Sequence, residues 1–227
     1  AIVQACQEIK AGKLHDQFVV DMIQGGAGTS TNMNANEVIA NRALEIMGYE
    51  KGDYKHCHPN NHVNLSQSTN DAYPSALNIG LYQTIGDLID TLKVLIDAFG
   101  AKGKAFADII KMGRTQLQDA VPMTLGQEFE AFAAGLKDEV EKLESDLCIV
   151  NMGATAIGTG INSDPDYTRI CTEFLAEVSG LPIKAAKNMI VATSDTSTFV
   201  DNSAAIKGVV GAMTNLSRDY RNLLAQH

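Results

Sequence analysis

Three short polar stretches of the sequence combine hydroxyl or amide side chains with glycine or with the start of a predicted helix. They are residues 28–31, 68–70 and 114–116. Hydroxyls, amides and backbone N–H groups that converge on one point form an oxyanion site, which can hold a carboxylate and stabilise extra negative charge on it. Removal of a proton next to a carboxylate requires that stabilisation. The spacing of the stretches leaves open whether they converge.

Other kinds of site have weaker support in the sequence. No histidine is placed to activate Ser68 as a nucleophile, and there is no CxxC pair. The glycine-rich stretch at 24–31 lacks the Gly-Lys-Ser/Thr ending of a phosphate-binding loop. His56, His58 and His62 lie close together, but a structural zinc site usually has four ligands and no second cluster follows. We therefore expect hydrogen-bonded loop histidines and no metal ligand.

The stretch 68–71 directly precedes a long apolar-periodic segment. Short side chains with an oxygen, such as those of Ser68 and Asp71, accept the unpaired backbone N–H groups at a helix start. Pro74 is expected in the first turn, where its missing N–H costs little. A helix N-terminus carries partial positive charge and unpaired donors, so it suits a carboxylate or phosphate. A helix cap without any ligand is the alternative interpretation.

Three long helices are predicted by apolar residues that recur at alternating spacings of three and four. They cover residues 72–99, 124–150 and 201–224. Thr124 and Gln127 form a capping box at the start of the second helix. Helices this long pack lengthwise in a bundle, so we expect an all-α fold whose apolar seams form the core. Three seams in one chain also leave apolar faces that favour oligomerisation.

We expect two domains. Residues 1–70 are the remainder of a helical N-terminal domain, and residues 71–227 are a central helical bundle domain that is incomplete at its C-terminal end. We predict a capping box at Asn34 and Glu37, a short helix at 101–112, an extended connector at 113–122, a helix capped by Asp164 and ended by Gly180, and a brief extended segment at 188–192. No other β-strand is predicted.

Composition restricts the class of partner and the compartment. The formal net charge of −9 argues against nucleic acid or an anionic membrane as the main partner, because both favour a basic surface. The sequence has neither an apolar run of membrane-spanning length nor a signal peptide. Its 4 widely spaced cysteines are typical of free thiols in a cytosolic protein. Because the chain begins and ends inside helical patterns, we expect it to be part of a longer polypeptide.

Four segments, in order along the chain, resemble the signature segments of the aspartase/fumarase superfamily. They read GGAGTSTNMNANE (25–37), HPNNHVNLSQSTND (58–71), GRTQLQDAVP (113–122) and GATAIGTGIN (153–162). The resemblance covers essentially the whole chain. It implies a long-helix bundle with part of a helical N-terminal domain, assembled in the cytoplasm as a homotetramer whose active sites are each shared by three subunits. It also implies L-aspartate or fumarate as a small dicarboxylate substrate.

The resemblance carries substrate-binding roles to this chain residue by residue. It implies that Ser68 and Thr69 hold the β-carboxylate of the substrate. Thr29 and Asn70 then lie near the amino group, and Thr115 helps to hold the α-carboxylate. A base removes a Cβ proton, and the resulting enediolate-like dianion expels ammonia to leave fumarate.

Gln116 belongs to the same substrate-binding set and bears on the reaction. Many members of the superfamily, fumarases above all, have histidine at this position of the third segment. Gln116 therefore favours elimination of ammonia from aspartate, and class II hydration of fumarate is the alternative. A helical assembly module without catalysis is an alternative of another class.

Two departures from the superfamily pattern concern the remaining site residues. The GSSxMPxKxNP loop, which supplies the serine base and a carboxylate-binding lysine, does not occur in the sequence. We expect that serine after His227, so no catalytic residue is assigned to this chain, and the chain alone should not turn substrate over. His58, Asn60 and Asn61 correspond to a second anion site of fumarases, although Asn61 replaces an aspartate. We expect that no cofactor is required and that a divalent cation such as magnesium can activate the enzyme.

Overall fold

The computed structural model describes residues 1–23, 26–144 and 148–224. Its helices are α1 (Ile2–Lys10), α2 (Thr29–Ile46), α3 (Thr69–Ala105), α4 (Leu125–Leu143), α5 (Tyr167–Ser179), α6 (Met189–Ser194) and α7 (Ser197–Leu224). Its strands are β1 (Ile110–Thr115), β2 (Gln118–Thr124), β3 (Ile149–Val150) and β4 (Lys184–Ala185). The predicted all-α class is confirmed. Within the described ranges, no helix is both long and apolar enough to span a membrane.

The chain folds as two compact units. The first unit consists of Ala1–Gly80 and Cys148–Asp195, and the second consists of Leu81–Leu147 and Thr196–His227. The domain boundary predicted after residue 70 lies inside the first unit. The two divisions differ because the later segment of the first unit returns to the start of α3, where Thr155 N donates to Asp71 Oδ2. Apolar periodicity along the chain contains no signal for such a return.

The second unit is built around one apolar core to which α3, α4 and α7 contribute. Its buried residues are Ile85, Ile89, Leu92, Phe99, Phe129, Leu136, Val140, Leu143, Ala205 and Val209. Ile85, Leu92 and Phe99 repeat every seven residues and lie on one face of α3, which confirms the predicted seam there. The predicted capping box is also confirmed, since Gln127 N donates to Thr124 Oγ1 at 3.1 Å and Gln127 Oε1 accepts from Thr124 N at 3.0 Å.

Helix α3 is longer than predicted at both ends. It begins at Thr69 and runs through Gly103 to Ala105, so the separate helix predicted at 101–112 is wrong. A glycine inside a helix costs only about 1 kcal/mol, and tertiary packing readily offsets that. Here the gain is a close approach to α4, because a Cβ added to Gly126 would lie 2.5 Å from the carbonyl oxygen of Gly103.

Residues 110–124 form an antiparallel hairpin, where the sequence predicts an extended connector and no β-strand. Strand β1 pairs with β2, with Thr115 opposite Gln118. Gln116 and Leu117 have φ values of 50° and 64°, and two positive values are typical of a type I′ turn. The side chains of both strands are mostly exposed, so no alternation of polar and apolar residues marks them in the sequence. Strands β3 and β4 pair in parallel in the first unit.

Three local predictions in the first unit have different outcomes. Asn34 lies inside α2, where its Oδ1 accepts from Val19 N at 3.0 Å, so the capping box predicted for Asn34 is wrong. The extended segment predicted at 188–192 is also wrong, because Asn188 Oδ1 accepts from two backbone N–H groups and starts α6. Gly180 ends α5 with φ 70°, as predicted, although Asp164 lies before the helix start rather than at it.

Candidate active site

The start of α3 satisfies its own backbone donors with two side chains. Ser68 precedes the helix, and its Oγ accepts from Asn70 N at 3.2 Å. Asp71 Oδ1 in turn accepts from Ser68 N at 2.9 Å. Because the helix begins at Thr69, Pro74 lies in its second turn and not, as predicted, in its first. The predicted helix cap is therefore present, and the polar atoms that it does not use are the ones available to a ligand.

Asp71 joins the start of α3 to the fourth signature segment. The residue is completely buried, and its Oδ2 accepts from Thr155 N at 2.8 Å. Burial raises the pKa of the Asp71 carboxyl above its usual range, while hydrogen bonds from backbone N–H groups, including those of Ser68 and Thr155, oppose the rise. The Asp71 carboxyl group thus holds the start of α3 and the fourth signature segment together, although the two are far apart in the sequence.

Asn70 is held at both its side chain and its backbone. Its Nδ2 donates to the carbonyl oxygen of Ala156 at 2.7 Å, and its own carbonyl oxygen accepts from Asn151 Nδ2 at 3.1 Å. Since a backbone carbonyl can only accept, the side-chain amide of Asn70 has a fixed orientation. Its Oδ1 is then the atom that can accept from a ligand, which suits an ammonium group.

Thr69 connects this helix start to α2 and so to the first signature segment. Its Oγ1 accepts from Asn32 Nδ2 at 3.1 Å. Thr29, the first residue of α2, is exposed. Gly28, just before it, has φ 81° and packs against the ring of Tyr73, where a Cβ would lie 2.5 Å from Cδ1. A glycine is therefore required where the backbone enters α2.

A cavity of about 560 Å³ lies beside Ser68. The other residues that line it are Asn60, Asn61, Asn64, Leu65, Ser66, Gln67, Thr155, Ala156 and Asn162. These residues come from the second and fourth signature segments, and their side chains are mostly amides and hydroxyls. The cavity is thus a polar space next to the start of a long helix, which suits a small anion.

The loop histidines are engaged in hydrogen bonds and ring stacking. His58 Nδ1 accepts from Asn60 N at 3.0 Å and from Asn61 N at 3.3 Å, and so caps the π-helical turn Pro59–Val63. His62 Nδ1 accepts from His58 N at 2.7 Å. The N–H groups of Asn60 and Asn61 are therefore both engaged by His58. Across the described part of the chain, no group of three or more His, Cys, Asp or Glu side chains could hold a metal ion.

The predicted substrate-binding residues fall into both units. Ser68, Thr69 and Asn70 lie together at the start of α3 in the first unit, as does Thr29 at the start of α2. Thr115 ends β1 and Gln116 follows in the hairpin turn, so both are exposed residues of the second unit.

Three residues that organise the site were not predicted from the sequence. They are Asn32, Asn151 and Thr155, each of which bonds to one of residues 69–71. A usable signal existed for the first, because asparagine is disfavoured inside helices, and Asn32 and Asn36 lie on one face of α2. No local signal existed for the other two.

The chain is similar to known proteins over nearly its whole length. A family model described as lyase matches residues 1–226. The chain is 54% identical over 226 residues to an aspartate ammonia-lyase of Helicobacter pylori, and 56% identical over 227 residues to one of Pseudomonas aeruginosa. Each alignment covers 98% of this chain and 48% of the relative, so the chain spans about half the length of these relatives.

Solved structures show the same fold. A fumarate lyase:delta crystallin from Brucella melitensis, bound to cobalt, is similar with a TM-score of 0.88 and 51% identity, over 97% of this chain and 48% of that one. A class II fumarase from Schistosoma mansoni is similar with a TM-score of 0.89 and 32% identity, over 96% of this chain and 50% of that one.

Proposed function

The chain belongs to the lyase family, and on this premise we propose that, within a full-length protein, it works as an aspartate ammonia-lyase that converts L-aspartate to fumarate and ammonia. Relatives of that name at 54% and 56% identity support the substrate. The structural observation that carries the proposal is the start of α3. There the hydroxyl oxygens of Ser68 and Thr69 each accept an N–H group, so each hydroxyl hydrogen can be donated to a carboxylate.

In the proposed reaction Ser68 and Thr69 hold the β-carboxylate at the positive end of the α3 dipole. A base removes the Cβ proton, and the electron pair of the broken C–H bond moves into the carboxylate to give a dianion. The two hydroxyls stabilise the added charge. The electron pair then forms the Cα–Cβ double bond while the C–N bond breaks and ammonia leaves. The proposed base is the serine expected after His227.

The other proposed contacts concern the amino group and the α-carboxylate. Asn70 Oδ1 accepts from the ammonium group, and Thr29 lies near the same group. Thr115 and Gln116 hold the α-carboxylate. We place these residues in one site through a homotetramer, in which three subunits contribute to each active site. Exposure of Thr115 and Gln116 supports a role toward another subunit.

Hydration of fumarate is the second candidate, and the similarity to the class II fumarase structure favours it. Gln116 argues against it, because a glutamine side chain cannot exchange a proton with water as a histidine can. A non-catalytic assembly module is the third candidate. The three differ in one measurement, which is fumarate appearance by ultraviolet absorbance in full-length protein with L-aspartate and, separately, with L-malate. Fumarate from L-aspartate alone is the expected result; fumarate from L-malate would identify a fumarase, and none from either would identify the assembly module.

Two substitutions test the assigned residues in the active protein. Ser68→Ala and Thr69→Ala should each lower kcat by roughly ten- to a thousandfold, which is the usual range for loss of an oxyanion donor. Thr91→Ala is the matched control, because its hydroxyl also lies on α3 but donates to the carbonyl oxygen of Asp87 at 2.9 Å. Equal kcat values in all three variants would show that Ser68 and Thr69 only cap the helix.

We also propose that the protein works in the cytoplasm without an organic cofactor and that a divalent cation such as magnesium activates it. The free thiols of Cys6, Cys57, Cys148 and Cys171 support a reducing compartment. Turnover of L-aspartate after treatment with EDTA, and again after addition of magnesium, tests the activation.

A further inference from the structure

We propose that Asn32 is a positioning residue that fixes the direction of the Thr69 hydroxyl toward the substrate carboxylate; this inference rests on the proposed function. Asn32 lies near the start of α2, and its Nδ2 is 3.1 Å from Thr69 Oγ1. It does not itself have to touch the substrate. Its effect on the reaction is expected to pass through one hydrogen bond.

Asn32 is part of a connected group of three asparagine side chains. Its Nδ2 is also 3.3 Å from Asn64 Oδ1, and Asn36 Nδ2 is 3.1 Å from the same oxygen. Asn32 and Asn36 are four residues apart on α2 and therefore share a face. Asn36 is only 4% exposed, so water does not compete for its bond to Asn64. The group connects α2 to the loop that leads into α3.

The backbone carbonyl of Gln67 determines the direction of the hydrogen bonds in this group. A carbonyl oxygen can only accept, and this one accepts from Asn64 Nδ2 at 3.3 Å. Asn64 must therefore turn its Oδ1 toward α2, and Asn32 must present its Nδ2 to that oxygen. The same nitrogen faces Thr69 Oγ1, so Asn32 is the donor and Thr69 the acceptor.

The direction of this bond leaves the Thr69 hydroxyl ready to donate. A hydroxyl has a single hydrogen, and with a lone pair of Oγ1 held by Asn32 that hydrogen points away from α2. The Thr69 hydroxyl donates no hydrogen bond to any other residue that the structure describes. A carboxylate bound at the start of α3 can therefore receive it. Because the donor is already oriented, it needs no reorganisation when extra charge develops on the carboxylate.

A double-mutant cycle in the full-length protein separates this role from a merely structural one. The four proteins are wild type, Asn32→Ala, Thr69→Val and the double variant, each assayed for kcat and KM with L-aspartate. Asn32→Ala should lower kcat by about tenfold, with a smaller change in KM, and Thr69→Val by about a hundredfold. If Asn32 acts through Thr69, the double variant should have a kcat within about twofold of Thr69→Val alone.

Asn41→Ala is the matched control for loss of a bonded asparagine on α2. Its Nδ2 donates to the carbonyl oxygen of Glu37 at 2.9 Å and to Tyr54 Oη at 3.2 Å, and no bond connects it to Thr69. We expect its kcat to stay within about twofold of wild type. A kcat for Asn32→Ala equal to that of Asn41→Ala would overturn the proposal, as would multiplicative losses in the double variant.

Asn32→Asp provides a second test if Asn32→Ala does not assemble. The carboxylate keeps the shape of the side chain but can only accept, so it draws the Thr69 hydroxyl away from the substrate. The loss of kcat should then exceed tenfold and should disappear in the Thr69→Val background. A loss that persists there would mean that the charge repels the substrate directly, which overturns the proposal. Absence of fumarate from wild type would instead overturn the proposed function, and this inference with it.

Discussion

Asn151 donates from Nδ2 to the backbone carbonyl oxygen of Asn70 at 3.1 Å. In a regular α-helix that carbonyl accepts the N–H of the residue four positions later, which here is Pro74. Because proline has no N–H, the side chain of Asn151 replaces the missing helical donor. The bond also fixes the segment after β3 against the part of α3 that carries Thr69 and Asn70.

This arrangement predicts that the effect of losing Asn151 depends on Pro74. Asn151→Ala should lower the free energy of unfolding by about 1–3 kcal/mol, since the Asn70 carbonyl then has no donor. Pro74→Ala restores a backbone N–H at the helical position. In the Pro74→Ala background, the cost of Asn151→Ala should therefore be smaller. Urea unfolding of wild type, the two single variants and the double variant measures the free energy that Asn151→Ala costs in each background. Equal costs in both backgrounds would show that other contacts of Asn151 dominate.

Two glycines at opposite ends of α2 provide a matched pair of substitutions. Gly28 and Gly48 have φ values of 81° and 84°, so alanine is strained at both. A Cβ at Gly48 would meet nothing within 4 Å, whereas one at Gly28 would lie 2.5 Å from Cδ1 of Tyr73. Gly48→Ala should thus cost only about 1–2 kcal/mol of stability.

Gly28→Ala should cost more and should also lower turnover, because the Tyr73 ring or the start of α2 must move, and Thr29 is the next residue. Thermal unfolding and kcat for L-aspartate in the full-length protein check both parts. Equal loss of stability and equal kcat in the two variants would mean that the ring moves aside freely.

The sequence predicts most of the fold where burial is periodic. Ile85, Leu92 and Phe99 are detected because one helix face is buried along its length. Leu77 lies eight residues before Ile85 and so close to the same face, but it is 41% exposed. Periodicity shows which residues share a face and not which part of that face is covered. The hairpin at 110–124 is not predictable in this way, because the side chains of its strands are mostly exposed. Its stability comes from backbone pairing and a turn, which leave little trace in side-chain hydrophobicity.

The candidate site is predictable in its local parts only. The residue type of Ser68 predicts a helix cap, and the cap is present. The partners of Thr69 and Asp71 lie 37 and 84 residues away in the sequence, and no local pattern shows such contacts. Asn32 and Thr155 therefore required the structure, whereas the substrate-binding role of Ser68 stays a prediction from the resemblance.

The free energy of unfolding should depend on pH through Asp71. Burial raises the pKa of its carboxyl above the ordinary 3.8, although backbone N–H groups oppose the rise. The folded state then binds the proton more tightly than the unfolded state. The stabilisation is complete below pH 3.8 and is lost as the pH rises through the raised pKa.

Asp71→Asn removes this titration, so wild type should lose its advantage over the variant as the pH rises from 3.8 toward neutrality. Urea unfolding of both proteins across that range gives the difference in unfolding free energy at each pH. If the advantage of wild type grows with pH instead, the N–H groups of Ser68 and Thr155 dominate over burial.

His58 should affect stability more than turnover. Its Nδ1 accepts from Asn60 N and Asn61 N, so His58→Ala should cost about 0.5–2 kcal/mol, the range for a lost helix cap. His58→Asn can accept the same N–H groups through its side-chain oxygen and should recover most of the loss. The kcat of the full-length protein with L-aspartate should stay unchanged in both variants. A second anion site that uses His58 makes a different prediction for the kinetics, because the asparagine variant, although equally stable, would then respond differently to L-aspartate concentration.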